Sequence, residues 1–60
     1  MVRVSLSKAK SYKRRKVFYR SKRGELTLVT AIEKRSPNWR LTLSDGRAFL
    51  VDPSTQLEHE

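Results

Sequence analysis

The 60-residue chain contains no cysteine, so neither a disulfide nor a thiolate metal site can stabilise it. Its one histidine, His59, cannot form a zinc site by itself, nor a catalytic triad without a nucleophile held against it. The two glycines, Gly24 and Gly46, are isolated, so there is no glycine-rich phosphate-binding pattern. We therefore expect no metal, no cofactor and no enzymatic activity. A small nuclease using Glu25 or Glu33 beside a basic residue is the enzymatic alternative.

Long apolar runs are also missing from the chain. No segment approaches the roughly 18 apolar residues of a membrane-spanning helix. The charged N-terminus lacks the apolar core of a signal peptide. Without such segments, and without cysteine, we expect a cytoplasmic protein. Sixty residues predict a single small domain, residues 1–60, and a domain of this size buries only ~60% of its unfolded surface.

Acidic residues are absent from the first 24 positions, which carry ten lysines and arginines. Residues 25–60 carry four basic and six acidic residues, and the whole chain has a net charge of +8. A strongly basic segment joined to a nearly neutral one indicates a polyanionic partner, namely DNA, RNA or an anionic membrane surface. No amphipathic helix is evident that would anchor the chain to a membrane, so we expect no membrane partner.

The stretch WRLTLSDGRAFLVD, residues 39–52, predicts two strands joined by a turn at its Ser-Asp-Gly. An Asp-Gly pair between apolar alternations is typical of a hairpin, because glycine adopts the positive φ that a tight turn needs. With a three-residue loop, Leu41 lies opposite Phe49 and Trp39 lies opposite Val51, so the large side chains share one face. A two-residue loop would separate Leu41 from Phe49, and we favour the longer loop.

Three further segments predict strands. Residues 1–6 alternate with period two, and residues 17–21 form a β-branched and aromatic cluster. Residues 25–34 are apolar on both faces in their middle, which suggests a strongly bent strand shared by two sheets. Turns are expected at residues 21–24 and 35–38.

The C-terminal residues predict a short helical turn followed by a tail. Asp52 would cap a single turn that has Pro53 at its first position. Leu57 would return to the core, and residues 58–60 would form a polar tail. The predicted β core therefore spans residues 17–57.

Residues 7–16, SKAKSYKRRK, contain six basic residues and only two apolar ones, Ala9 and Tyr12. A segment with so little apolar surface cannot bury a face, so we expect a loop or mobile arm. A helix running from Ser7 through the lysines is the alternative, although its apolar stripe would be thin.

Five short strands, a tight turn before the last two and a helical turn afterwards resemble an SH3-like small β-barrel. Residues 39–57 are similar to the corresponding half of Tudor-type and retroviral integrase C-terminal barrels. KVFYR, residues 16–20, looks like the opening strand of the integrase-type barrel. The resemblance implies an all-β antiparallel barrel, and the integrase type implies non-specific DNA binding through a basic face. Tudor relatives use an aromatic cage, and the five aromatic residues of this chain do not assemble one.

The expected function is nucleic-acid binding, with DNA, and specifically duplex DNA, favoured over RNA. Basic residues would contact phosphates, and Tyr12 or Tyr19 would stack on bases or enter a groove. The alternative for Tyr19 is packing at the core margin with its hydroxyl in water. The candidate site consists of Lys8, Lys10, Tyr12, Lys13, Arg14, Arg15, Lys16, Tyr19, Arg20, Lys22 and Arg23.

The alternative function is a protein-binding accessory or inhibitor module whose basic arm docks on an acidic partner. Open strand edges could equally pair with a partner or with a second copy to form a homodimer.

Overall fold

A computed structural model of the protein describes residues 1–12 and 15–60. These residues form six strands and one short helix. In chain order the elements are β1 (Val2–Ser5), α1 (Leu6–Lys10), β2 (Val17–Arg20), β3 (Leu26–Arg35), β4 (Asn38–Leu43), β5 (Ala48–Val51) and β6 (Gln56–His59). The all-β class is confirmed, with one strand more than the five expected.

The strands form one antiparallel sheet in the order β1-β6-β2-β3-β4-β5. Within residues 1–12 and 15–60, no ladder joins β1 to β5, so these two strands are the edges of the sheet. The sheet is therefore open, where the sequence predicted a barrel.

Strand β3 links the two parts of the sheet. Its first residues, Leu26 to Leu28, pair with β2, and the remainder pairs with β4. The register against β4 shifts between Val29 and Ala31, which leaves Thr30 without a Cα partner. Such a bulge bends a strand and increases its twist, in keeping with the bent, two-sided strand predicted from the sequence.

The β4–β5 hairpin has the predicted three-residue register. Trp39 pairs with Val51 and Leu41 with Phe49, which confirms the choice of the longer loop. Gly46 has φ +93°, a conformation that L-residues rarely adopt. The Asp45 carboxylate accepts hydrogen bonds from the backbone N–H and the side chain of Arg47, and these bonds hold the pKa of Asp45 below its usual value.

The C-terminal prediction was wrong in two respects. Residues 52–55 form a hydrogen-bonded turn instead of a helical one, in which the Asp52 carboxylate accepts from Ser54 N at 2.7 Å. The expected polar tail is strand β6, which lies between β1 and β2. Leu57 is fully buried, as predicted, but His59 is buried too. The sheet thus extends beyond residues 17–57 on both sides.

The first part of the predicted loop at residues 7–16 is helix α1. The Ser5 side chain caps it by accepting a hydrogen bond from Lys8 N. Leu6 and Ala9, three positions apart, are both buried against the sheet. The apolar stripe of this helix is thin, but the burial of these two side chains in the core stabilises its single turn.

The core lies between the sheet and α1. Val4, Leu57 and Leu41 are almost completely buried. Aromatic and aliphatic side chains from β2 to β5 pack around these residues. The buried cluster consists of Val4, Leu6, Ala9, Val17, Trp39, Leu41 and Leu57, with Tyr12, Tyr19, Val29, Ile32, Phe49 and Val51 packed against it.

Candidate nucleic-acid interface

The structure separates the predicted site residues into two groups. The first lies on α1 and the segment after it, and consists of Lys8, Lys10, Tyr12, Arg15 and Lys16. The second lies on β2 and the following turn, and consists of Tyr19, Arg20, Lys22 and Arg23. Val17 and Arg20, at opposite ends of β2, are about 10 Å apart along the strand. Lys13 and Arg14 fall outside the described residues.

A groove of about 330 Å³ lies between α1, the segment after it and the middle of β3. We call it the α1–β3 groove. Its buried and half-buried lining is mostly apolar, while its exposed lining residues, Lys10, Arg15 and Thr30, are polar or charged. The full lining is Ala9, Lys10, Tyr12, Arg15, Val17, Val29, Thr30, Ala31 and Ile32.

Tyr12 lines this groove and is half-buried. Its ring meets the His59 ring edge-on, with centroids 5.4 Å apart. The Arg15 guanidinium lies over the ring, with Cζ 5.1 Å from its centroid. His59 is oriented in turn by a 2.6 Å hydrogen bond between its Nδ1 and the Glu60 carbonyl oxygen. Tyr12 is therefore held in place by His59 of β6, and its ring and the Arg15 guanidinium lie together at the groove.

Trp39 brings two lysines from distant parts of the chain together. The Nζ atoms of Lys10 and Lys34 lie 5.9 and 6.0 Å, respectively, from the centroid of its ring, at the outer limit of cation–π attraction. Sequence reasoning did not include Lys34 in the site. Lys34 could have been included from the pairing of β3 with β4, which places it directly opposite Trp39.

The basic residues differ in whether a carboxylate neutralises them. Arg20, Arg35 and Arg47 form ion pairs with Glu58, Glu33 and Asp45, respectively, at 2.6 to 2.9 Å. In the part of the chain that the structure describes, no carboxylate lies within ion-pair distance of Lys8, Lys10, Arg15 or Lys16. Positive charge is consequently uncompensated along α1 and the α1–β3 groove.

The Arg20 side chain is used in contacts within the protein. Its guanidinium donates to both carboxylate oxygens of Glu58 and to the carbonyl oxygen of Gly24. The hydrogen bond from Arg20 lowers the pKa of Glu58, and the charges of Arg20 and Arg3 lower it further. Glu58 lies with both arginines in a second cavity, of about 340 Å³, where its carboxylate offsets their attraction for an anion.

The other members of the second group differ in their accessibility. Tyr19 packs against the core and meets Phe49 edge-on at 5.1 Å, so its ring is at the core margin. Lys22 and Arg23 are exposed in the β2–β3 turn, which Gly24 closes with φ +86°. Of this group, only the two turn residues are free to reach a ligand.

Among residues 1–12 and 15–60, no cluster of three or more His, Asp or Glu side chains could hold a metal ion. No helix in these ranges is long and apolar enough to cross a membrane.

Comparison of the chain with protein-family models, with curated proteins and with solved structures found no match.

Proposed function

We propose that the protein binds nucleic acid, with DNA favoured over RNA, chiefly through phosphate contacts, and that it is a binding protein without catalytic activity. The observation that carries the proposal is the uncompensated charge of Lys8, Lys10, Arg15 and Lys16 beside the α1–β3 groove. Cations that lack protein carboxylates gain most from a polyanion, because binding releases its condensed counterions. Lys34 extends this surface across Trp39.

Binding of this kind depends steeply on salt. The logarithm of the affinity falls with the logarithm of salt concentration, with a slope of about −0.9 for each neutralised phosphate. Five such contacts would weaken binding about 500-fold between about 50 and 200 mM salt. An affinity that does not change with salt would contradict the proposal.

A fluorescence-anisotropy titration against duplex DNA, duplex RNA and single strands at several salt concentrations tests the proposal. The test variant is Lys8→Ala/Lys10→Ala/Lys16→Ala, in which all three changes are at exposed positions around α1. We expect weaker binding of every sequence and a salt slope shallower by about one unit for each lysine that contacts a phosphate.

The matched control is Arg35→Ala/Arg40→Ala/Arg47→Ala, which removes the same charge from exposed positions on β3, β4 and the β4–β5 turn. Binding close to that of the unmodified protein is expected for this control. Equal weakening by both variants would show that net charge, and not the α1 surface, determines affinity.

A protein-binding module is the second candidate, because the sheet has two edge strands. Strand β5 carries Leu50, which is 59% exposed, and β1 carries Val2, which is 57% exposed. An edge strand can pair with a strand of an acidic partner or of a second copy. Heparin distinguishes the two candidates, since it should displace nucleic acid readily but should leave a strand-pairing contact largely intact.

We also propose that the fold is related to the SH3-like small barrels. Support comes from the shared and bulged β3, the tight β4–β5 turn, and a core that joins β1 and β6 to β4. Side-chain contacts measured by NMR in solution test this relationship. The two halves of the sheet should face each other across Trp39, Leu41 and Leu57, and a flat sheet would contradict the relationship.

A further inference from the structure

From the α1–β3 groove we infer that the protein binds single-stranded nucleic acid by accepting one unstacked base into this groove. The inference rests on the proposed function and adds a base contact to its phosphate contacts. It also changes the expected ligand, because a base within a duplex is stacked and paired and cannot enter without being extruded.

The size and lining of the groove fit a flat, largely apolar group. Its volume of about 330 Å³ is at the lower end of the roughly 300–1,000 Å³ of small-molecule sites. The half-buried Val29, Ala31 and Ile32 supply an apolar surface, and none of the described lining residues is acidic. A nucleobase can bury its faces there without meeting a carboxylate.

The charged rim identifies the occupant as part of a polyanion. Lys10 and Arg15 line the groove and have no carboxylate partner in the described part of the chain. A base held in the groove would therefore bring the phosphates on either side of it to these two cations. An uncharged aromatic ligand would leave this charge unused.

Two planar or polar features at the groove are suited to a base. The Arg15 guanidinium lies over the Tyr12 ring, and unstacked bases commonly stack on aromatic rings and guanidinium planes. The β3 bulge leaves Thr30, a lining residue of the groove, without a Cα partner on β4. Its hydroxyl donates to the Thr42 carbonyl oxygen at 3.1 Å, and the hydroxyl oxygen can still accept a hydrogen bond from the polar edge of a base.

Abasic DNA separates the base contact from the phosphate contacts. The unmodified protein is titrated with a short oligothymidylate and with the same strand carrying abasic sites in place of its bases. One buried base should make the intact strand bind about fivefold to a hundredfold more tightly. Equal affinity would overturn the inference and leave the proposed function in place, whereas failure of both strands and of duplex DNA to bind would remove both.

A pair of alanine-to-methionine variants then locates the contact. Ala31→Met adds volume at a half-buried residue of the groove, and Ala48→Met makes the same change at an exposed residue of β5. We expect Ala31→Met to abolish the preference for the intact strand while leaving affinity for the abasic strand unchanged. Ala48→Met should keep the preference, and loss of the preference in both variants would overturn the assignment to the groove.

Amide chemical shifts of the unmodified protein give a readout that does not depend on any variant folding. Thymidine monophosphate should shift the amides of Val29, Ala31 and Ile32, and deoxyribose 5-phosphate should not. Identical shifts with the two compounds would show that phosphate alone is recognised, and would overturn the inference.

Discussion

Among single residues, two aspartates of this protein form hydrogen bonds within their own turns. The Asp45 and Asp52 carboxylates accept hydrogen bonds from residues two positions further on, and these bonds lower the pKa of both groups. Glu58 differs from them, because it joins β6 to Arg20 on the neighbouring strand β2. Protonation of Glu58 therefore loosens a contact between strands that are far apart in sequence.

The stability of the protein should decrease in acid, in part because of Glu58. Its pKa is lowered in the folded state, so its ionised form adds stability above about pH 4.3, the usual value in unfolded chains. That contribution is lost as the pH falls through the lower pKa of the folded state. We expect Glu58→Gln to lower the melting temperature at pH 7 and to have a smaller effect at pH 2–3.

Thermal unfolding followed by circular dichroism across this pH range measures the difference in melting temperature between the two proteins. An NMR titration of the Glu58 side chain gives its pKa directly. A difference in melting temperature that stays constant from pH 7 to pH 2 would show that the Arg20–Glu58 pair has no linked effect on folding.

The core leucines should be far more sensitive to truncation than an exposed one. Leu41 is fully buried and Leu50 is 59% exposed. Leu41→Ala should lower the free energy of unfolding by about 2–5 kcal/mol. This loss is comparable with the whole stability of about 3–5 kcal/mol that such a small core supplies. Leu50→Ala should change stability by only about 0.5 kcal/mol or less.

Urea unfolding followed by the fluorescence of Trp39, the one tryptophan, compares these two variants. A Leu41→Ala variant that unfolds at the same urea concentration as Leu50→Ala would contradict the burial of Leu41.

Among the elements, those defined by local chemistry could be predicted and those defined by distant partners could not. The β4–β5 register follows from the Asp45-Gly46 turn and from the alternation around it, both within one hairpin. Strand β6 has only four residues and depends on pairing with β1 and β2. Its alternation of Leu57 and His59 with polar residues was a signal that the expectation of a tail overlooked.

The same contrast applies to the candidate site. The basic composition around α1 was evident from the sequence, but the groove was not, since it requires β3 to lie against α1. Tyr12 was predicted to stack on bases or enter a groove, and Tyr19 either to do the same or to pack at the core margin. Both pack against the core, and only Tyr12 lines the groove. Which aromatic face remains accessible depends on tertiary packing that no local pattern encodes.

Deleting residues 56–60 should abolish folding, because β6 is the strand that joins β1 to β2. The truncation also removes Leu57, which has no exposed surface, and the buried His59. Amide spectra of the truncated chain should show the narrow dispersion of an unfolded protein. Removal of Glu60 alone is the control and should preserve the fold. A folded chain lacking residues 56–60 would show that β6 is not needed to join β1 to β2.

For the whole molecule, charge is the dominant feature, with a net +8 on 7.0 kDa. Repulsion among these charges disfavours the compact state, and salt screens it. We therefore expect the melting temperature to rise with sodium chloride. The rise should be about 4–8 °C for each kcal/mol that screening adds to the free energy of unfolding. Nucleic-acid binding should respond in the opposite direction, since the same salt weakens it.

The Lys8→Ala/Lys10→Ala/Lys16→Ala variant serves as the internal comparison, because it carries less charge to screen. Its melting temperature should rise less with salt than that of the unmodified protein. A melting temperature that is flat or falling with salt in both proteins would indicate that charge repulsion does not limit stability.

The position of β6 also determines when the chain can fold during synthesis on a ribosome. The β2–β5 part of the sheet pairs neighbours in sequence and can form early. Strand β1 pairs with β6, so its ladder cannot form until residues 56–59 have left the exit tunnel. The basic segment that follows β1 therefore lacks this anchor while β2 to β5 are being translated. Protease digestion of stalled nascent chains would show protection of β1 only after β6 emerges.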